Sequence, residues 1–271
     1  MGLHDRRDNL PAGSSEPHQC RKRTYGHLSA FGRHFFRKLR SRLSIENMEG
    51  VELLSISPAE KLFWHRCESL EYQVFLESGY VEESPTGRIA DFDRYASMEF
   101  LAAFTGDRQL PLGQRILSGV VRLVYAPHAR KMGPGLFPTI DHAEELEIPP
   151  ANLKRVLAMD PRRCFDIATM AIAKAKRDGR ASKALITAIM MKVFKHPRLR
   201  YGFAAIDTPF YHKLKQRRPF EDLGPSTMYM GSMSTATMVD SFRVHGLQKL
   251  LIPTLRFRGY WQRYIPGGHD E

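Results

Sequence analysis

Hydrophobic and polar positions along the middle of this chain switch repeatedly between the two-residue period of a strand and the longer period of a helix. Residues 116–125 put Val120, Arg122 and Val124 on one face of a strand and Val121, Leu123 and Tyr125 on the other. Residues 165–172, Phe-Asp-Ile-Ala-Thr-Met-Ala-Ile, are short, mostly apolar and bounded by Arg162-Arg163 and Lys174, which suits a buried strand. The chain then changes character. Lys176-Arg177-Asp178-Gly179-Arg180-Ala181 gathers cations around a glycine, and Ser182 is placed to cap the apolar run 184–194 as a helix. Residues 201–206 read as a second buried strand, Asp207-Thr208-Pro209 breaks it, and Phe210-Tyr211-His212-Lys213-Leu214 opens a short helix.

Upstream, residues 57–77 predict a helix with Pro58 in its first turn and Leu62, Phe63, Leu70 and Phe75 among its apolar positions. Residues 87–93 and 96–104 predict two strands of a meander. Residues 127–150 form a Pro/Gly-containing excursion too long for a hairpin loop, of the kind that lines substrates in binding proteins. Downstream, the Met- and Thr-rich segment 227–238 predicts a strand, and 250–264 ends the sheet or covers its edge.

Composition sets bounds on this layout. With 271 residues and 42% hydrophobic content the chain can bury one enzyme-sized core. No apolar run approaches the roughly 20 residues of a membrane span. The formal charge is +12, and residues 1–43 carry +7 of it. We therefore divide the chain into a basic N-terminal tail, 1–43, and a domain, 44–271. The first part of the tail is polar and rich in Pro, Gly and Ser, a composition that disfavours a fold. Phe31, Phe35 and Leu39 then recur at helical spacing opposite Arg33, Arg37, Lys38 and Arg40. That pattern suits a helix packed on the body first, and otherwise a peripheral contact with anionic membrane or a contact with an acidic protein. No basic face interleaved with aromatics recurs outside the tail, so nucleic acid is not an expected partner.

Three distant cysteines, Cys20, Cys67 and Cys164, indicate neither a disulfide framework nor a zinc cluster, and no metal is expected. A reducing cytoplasm suits them. The Gly-x-Ser-x-Gly, His-Glu-x-x-His and Gly-x-Gly-x-x-Gly patterns are missing from the chain. Two features carry candidate chemistry without any family argument. The basic turn at Lys176 to Ala181 precedes a helix N-terminus, where unpaired backbone N–H groups and cations can take a phosphate; an ordinary solvated turn looks the same. Arg122 emerges from an apolar layer and needs a carboxylate partner, either as a structural ion pair or as a clamp for a substrate carboxylate.

The order strand, Lys176-x-x-Gly179-x-Ala181, helix, strand, Phe210-Tyr211 resembles the thioester end of GNAT acyltransferases, whose loop reads Arg/Gln-x-x-Gly-x-Gly/Ala. Further segments resemble the autoinducer-synthase-like branch, which includes long-chain N-acyl amino acid synthases. Tyr72-Gln73-Val74-Phe75 with Gly79-Tyr80 looks like their first helix and turn, and Phe92-Asp93-Arg94-Tyr95 like their Phe-Asp-x-Tyr-Asp segment. Residues 118–124 look like their strand with a buried arginine, and Leu136-Phe137-Pro138-Thr139 like a substrate-lining phenylalanine segment. The strand at 165–172 looks like their Glu-x-Ser-Arg-Leu-Ala-Val segment, with Asp166 for the glutamate and Thr169 for the arginine. Ala96 and Glu71 also depart, standing where an aspartate and an arginine are expected.

The resemblance implies an α+β sandwich: a central mixed, mostly antiparallel sheet flanked by helices. It implies acyl transfer from a phosphopantetheine thioester, that of acyl carrier protein or CoA, to a small amine, with no tightly bound cofactor. The departures make the cationic nucleotide-like donor of the autoinducer enzymes a poor fit and favour a smaller amine, such as an amino acid. The residues implied are Asp166 or Asp93 as base, Tyr211 as acid toward the thiol, and Arg122, Phe137 and Phe75 around the substrate. Lys176, Gly179, Arg180 and Ala181 would hold the cofactor phosphate. Asp93 and Asp166 are the acids it would bring to Arg122. A cytoplasmic protein, free or peripheral at the inner membrane face, is expected. A non-catalytic thioester-binding module and an acyl-CoA-dependent N-acetyltransferase remain open beside this reading.

Overall fold

A computed structural model describes residues 50–107, 109–196, 198–215 and 220–241. The chain divides into two units, Met1–Leu43 and Ser44–Glu271, and all described residues belong to the second. The expected basic helix at 31–43 and the closing segment at 250–264 lie outside the described residues.

Seven strands of the described residues form one sheet in the order β1-β2-β3-β4-β5-β7-β6. They are β1 (Val51–Ile56), β2 (Met98–Thr105), β3 (Ile116–Tyr125), β4 (Cys164–Ile172), β5 (Tyr201–Asp207), β6 (Phe220–Tyr229) and β7 (Ser232–Asp240). Only β4 and β5 run parallel; the other neighbours are antiparallel. The helices are α1 (Lys61–Glu77), α2 (Pro138–Asp141), α3 (Pro150–Leu157), α4 (Arg180–Lys195) and α5 (Thr208–Lys215). One buried cluster joins α1 residues such as Trp64 and Phe75 to Val120, Val124 and Phe203. The other joins α4 residues Ala184, Leu185 and Ala188 to Val121 and Leu123. The alternation expected along β3 thus divides the two cores. This is the α+β layering anticipated, with a mixed, mostly antiparallel sheet. No helix of the described residues is long and apolar enough to cross a membrane.

Some elements differ from expectation. The first strand, Val51–Ile56, was not anticipated; it lies at the sheet edge, where pairing with β2 rather than any strong local pattern fixes it. Residues 87–93 are not a strand: Ala90–Arg94 is a 3-10 turn that buries Phe92 and leaves its acids in solvent. Helix α1 begins at Lys61, with the Glu60 carboxylate accepting from the backbone N–H of Ser57 at 2.8 Å. The strand expected at 227–238 is a hairpin. Its two-residue turn, Met230–Gly231, has both φ angles positive, 48° and 75°, as the twist of paired strands requires. Met-Gly lacks the Asn-Gly signature that announces such a turn.

Arg122 finds its carboxylate in Glu71 of α1, correcting the expectation of Asp93 or Asp166. Its Nε donates to Glu71 Oε1 at 3.0 Å and its Nη2 to Oε2, while the Thr169 hydroxyl of β4 also donates to Oε1. Arg122 is 1% exposed and Glu71 0%. The guanidinium lies 4.4 Å from the Phe100 ring centre, 4.5 Å from that of Phe92 and 5.6 Å from that of Trp64. Enclosed in this way, Arg122 is not a clamp for substrate; it locks α1 onto β3 and β4. Asp93 instead pairs with Arg88 at 2.8 Å on the surface, with its side chain 48% exposed.

Removing one member of this pair strands a buried charge. Glu71→Ala is expected to lower unfolding free energy by about 3–5 kcal/mol in urea titrations, whereas the double replacement Glu71→Leu with Arg122→Met should cost much less. Equal losses in the two variants would contradict the lock.

Candidate active site

Strand β4 pairs with β3 along its whole length but with β5 over three residue pairs, Cys164 with Tyr201, Phe165 with Gly202 and Asp166 with Phe203. Beyond them β5 stays with β7, so the two parallel strands part. Where they part, β4 carries a bulge. Arg122 is opposite Thr169 and Leu123 opposite Ile167, which leaves Ala168 as the extra residue. The bulge resets the alternation, so that Asp166 and Thr169 share the α1 face although three positions apart.

A cavity of about 590 Å³ occupies the gap. Its walls include Ile167 to Met170 of β4, Ala204 to Asp207 of β5, Ile186, Ile189, Met190 and Val193 of α4, and Phe210 and Leu214 of α5. Val74, Phe75 and Tyr80 close it from the α1 side, with Tyr229 and Met230 of the hairpin. Most of these groups are apolar. Arg177 and Ser182 reach it from the turn between β4 and α4.

That turn is built much as its sequence suggested, with one correction. Gly179, not Ser182, is the residue at the helix start, in a left-handed conformation (φ 89°) that favours glycine. The Ser182 hydroxyl donates back to the Gly179 carbonyl at 3.1 Å. Asp178 accepts from the Arg180 backbone N–H at 2.9 Å and pairs with its guanidinium at 2.7 Å. Lys174 and Lys176 bound the short 3-10 turn just before, and Ala181 is buried beneath the first turn of α4. A glycine at the helix start stands among four cations, Lys174, Lys176, Arg177 and Arg180, of which Arg177 lines the cavity and Arg180 pairs with Asp178.

The other expected residues separate. Phe75 lines the cavity. Phe137 does not: it is 0% exposed and packs edge-on against Phe203 at 5.8 Å, so it is core, while Met170, Met190 and Met230 stand on the walls. The Tyr211 hydroxyl is donated to Asp222 of β6 instead of the cavity. Asp166 lies behind the wall. Its two oxygens accept from the backbone N–H of Thr139 at 2.8 Å and the Thr139 hydroxyl at 3.2 Å, which ties the first turn of α2 to β4. Burial pushes its carboxyl up to about 7, against the two bonds from Thr139 that favour the charge.

Two groups were missed. Tyr229 stands on the cavity wall, and burial, then the nearby Asp166 charge, push its phenol above the ordinary range. Asp207, read from the sequence only as part of a strand break, also lines the cavity. It accepts from Tyr80 at 2.6 Å, Ser232 at 2.9 Å and Ser234 at 3.3 Å. Its position just before a Thr-Pro helix start was the available signal; its partners on the hairpin and after α1 had none.

No family model matches this chain, and no curated protein sequence matches it. Solved structures do. BjaI, a CoA-dependent acyl-homoserine lactone synthase solved with MTA, aligns over 75% of this chain and 87% of its own at 18% identity, TM-score 0.50. MesI, also a CoA-dependent acyl-homoserine lactone synthase, aligns over 72% and 95% at 11% identity, TM-score 0.50. The AHL synthase LasI aligns over 70% and 89% at 13% identity, TM-score 0.50. The chain therefore has the GNAT-like fold of the acyl-homoserine lactone synthases.

Asp166 supplies a pH signature. Its folded pKa lies above the unfolded reference of 3.8, so its contribution to stability is full below about pH 4 and is lost as pH rises through about 7. Each unit between costs on the order of 1.4 kcal/mol. Asp166→Asn removes this slope, so melting temperatures should shift in favour of the variant relative to the native chain between pH 4 and 8. A difference that stays constant with pH would show that Asp166 is ionised throughout.

Proposed function

We propose that this chain is an N-acyltransferase that moves a long acyl group from a phosphopantetheine thioester to the amine of a small acceptor such as an amino acid. The observation that carries this reading is the parting of β4 from β5 at a bulge, opening an apolar cavity whose rim is a glycine-started helix among four cations. A pantetheine arm is extended and amide-bearing, so it suits strand edges that have lost their backbone partners. Its phosphate suits the first-turn amides of Ala181 and Ser182, which a helix does not pair internally, with Lys176 and Arg180 beside them. The methionine and isoleucine walls suit an acyl chain.

In this reading the amine nitrogen attacks the thioester carbon, the C–S bond breaks, and the ammonium gives up two protons. One goes to the departing thiolate and the other to solvent. The backbone N–H groups at the Ala168 bulge would stabilise the oxyanion. Tyr229, raised above its usual range and therefore protonated at neutral pH, replaces Tyr211 as the phenol placed to protonate the thiolate. Asp166 acts as a brace rather than a base, because both its oxygens are taken by Thr139. We propose acyl carrier protein as the donor and partner, since a chain of charge +12 attracts an acidic protein. BjaI and MesI are named as CoA-dependent, which makes acyl-CoA the alternative donor.

Incubation with long-chain acyl carrier protein or acyl-CoA and a pool of amino acids should yield N-acyl products by mass spectrometry. Met190→Trp, which fills the cavity, should reduce turnover of long-chain donors at least tenfold relative to short-chain ones. If neither donor gives product with any amine, the chain is a non-catalytic thioester-binding module.

A further inference from the structure

The described walls of the cavity carry two charged side chains, Arg177 and Asp207. They are in different circumstances. Arg177 is exposed beside the basic turn, and its Nε donates to the Ile172 carbonyl at 3.3 Å. Asp207 ends β5 on the side of α1 and the hairpin, and its three hydrogen-bond partners among the described residues are all neutral hydroxyls. Tyr80 donates to Oδ2 at 2.6 Å; Ser232 and Ser234 donate to Oδ1 at 2.9 and 3.3 Å. These bonds fix the carboxylate but bring it no positive charge.

A carboxylate offers about four acceptor sites, and three are filled here, which leaves one beside Tyr80 on Oδ2. The Tyr80 oxygen, having given its hydrogen to Asp207, can itself accept; the Ser232 hydroxyl is also within reach of it, but its one hydrogen is directed to Asp207 Oδ1 at 2.9 Å. Burial and the bond to Asp207 push the Tyr80 phenol up, so it keeps that hydrogen at neutral pH. Asp207 and Tyr80 therefore present two adjacent acceptors, 2.6 Å apart, on a carboxylate that no cation among the described residues pairs with directly, although the Arg177 charge reaches Tyr80. An ammonium group answers both needs: it has three N–H donors and a positive charge, and charge-assisted bonds of this kind are the strong ones. An alcohol supplies one donor and no charge. A carboxylate supplies charge of the wrong sign. Phe75, Ile206 and Met230 on the same walls suit an alkyl substituent behind the nitrogen.

We propose that Asp207 and Tyr80 form the binding site for the cationic nitrogen of a primary alkylamine, and that the acceptor is recognised by this nitrogen. Calling the amine an acceptor rests on the acyl-transfer reading above; the binding site itself does not. Arg122 is sealed against Glu71, so among the described residues a carboxylate on the amine has no buried clamp, and recognition at the nitrogen extends to amines without one.

The test uses the full chain with n-butylammonium chloride, followed by saturation-transfer NMR in the absence of any thioester, with sodium butyrate and 1-butanol as matched probes. Butylammonium should bind saturably, and butyrate and butanol at least tenfold more weakly. Asp207→Asn should weaken butylammonium at least tenfold, and Tyr80→Phe by a few fold. On the native chain, bound butylammonium should give nuclear Overhauser effects to the Tyr80 ring, a readout that stands even if the Asp207 variant does not fold. Butylammonium that binds Asp207→Asn as well as the native chain, or that shows no contact with Tyr80 at saturation, would overturn the proposal. Because no donor is present, this outcome is separate from whether acyl transfer occurs.

Discussion

Strand β4 has two neighbours and satisfies them unequally. Against β3 its ladder runs from Phe165 to Ile172, broken only by the bulge at Ala168; against β5 it stops at Asp166 and Phe203. Buried backbone groups normally demand partners, so two strand edges that separate inside a sheet leave a demand that a ligand can meet. The bulge at Ala168 falls at the same place and turns β4 away from the regular pleat. The cavity, the walls supplied by α4 and α5, and the position of the basic turn all follow from this early parting.

Holding such a sheet open requires rigid supports on both faces. On one, the Arg122–Glu71 pair with Thr169 links β3, α1 and β4, and three aromatic rings enclose it. On the other, Glu99 accepts from Ser55, Tyr125 and Lys192 together, joining β1, β2 and β3 to α4. Both are buried or partly buried polar networks in which each charge has a partner. They contribute less to raw stability than apolar packing would, and more to fixing which helix lies against which strand. Asp166 adds a third tie, from β4 to the short α2.

The chemistry is distributed unevenly around the opening. Cations concentrate after β4, at the start of α4; the acid Asp207 stands at the end of β5, among hydroxyls from two other segments, Tyr80 after α1 and Ser232 and Ser234 of β7. Between these poles the walls are mostly apolar. A thioester ligand entering from the basic corner would place its reacting carbon between the strands, with an amine approaching from the α1 side. This polarity suits a reaction that joins an anionic carrier's cargo to a cationic nitrogen, and electrostatic attraction would bring each reactant to its own end.

The strands β3, β4 and β5, the cationic turn and the helices after it were legible because each is written in a local period of two or about three and a half, or in a run of neighbouring charges. The partners of Arg122 and Asp207 were not, because Glu71 is 51 residues from Arg122, and Tyr80 is 127 residues from Asp207. Nor was the face of Thr169, because one extra residue at Ala168 moves every later side chain of β4 to the opposite side from simple alternation. Phe137 and Met190 are alike apolar, and the sequence alone could not distinguish core from cavity wall. By itself the sequence determined the central elements from β3 to α5, the basic turn and a buried arginine needing an acid. Which acid answered it, which residues face the cavity and where its negative charge stands were decided by tertiary structure, since ion pairs, bulges and strand separation arise between segments and leave no periodic trace within one.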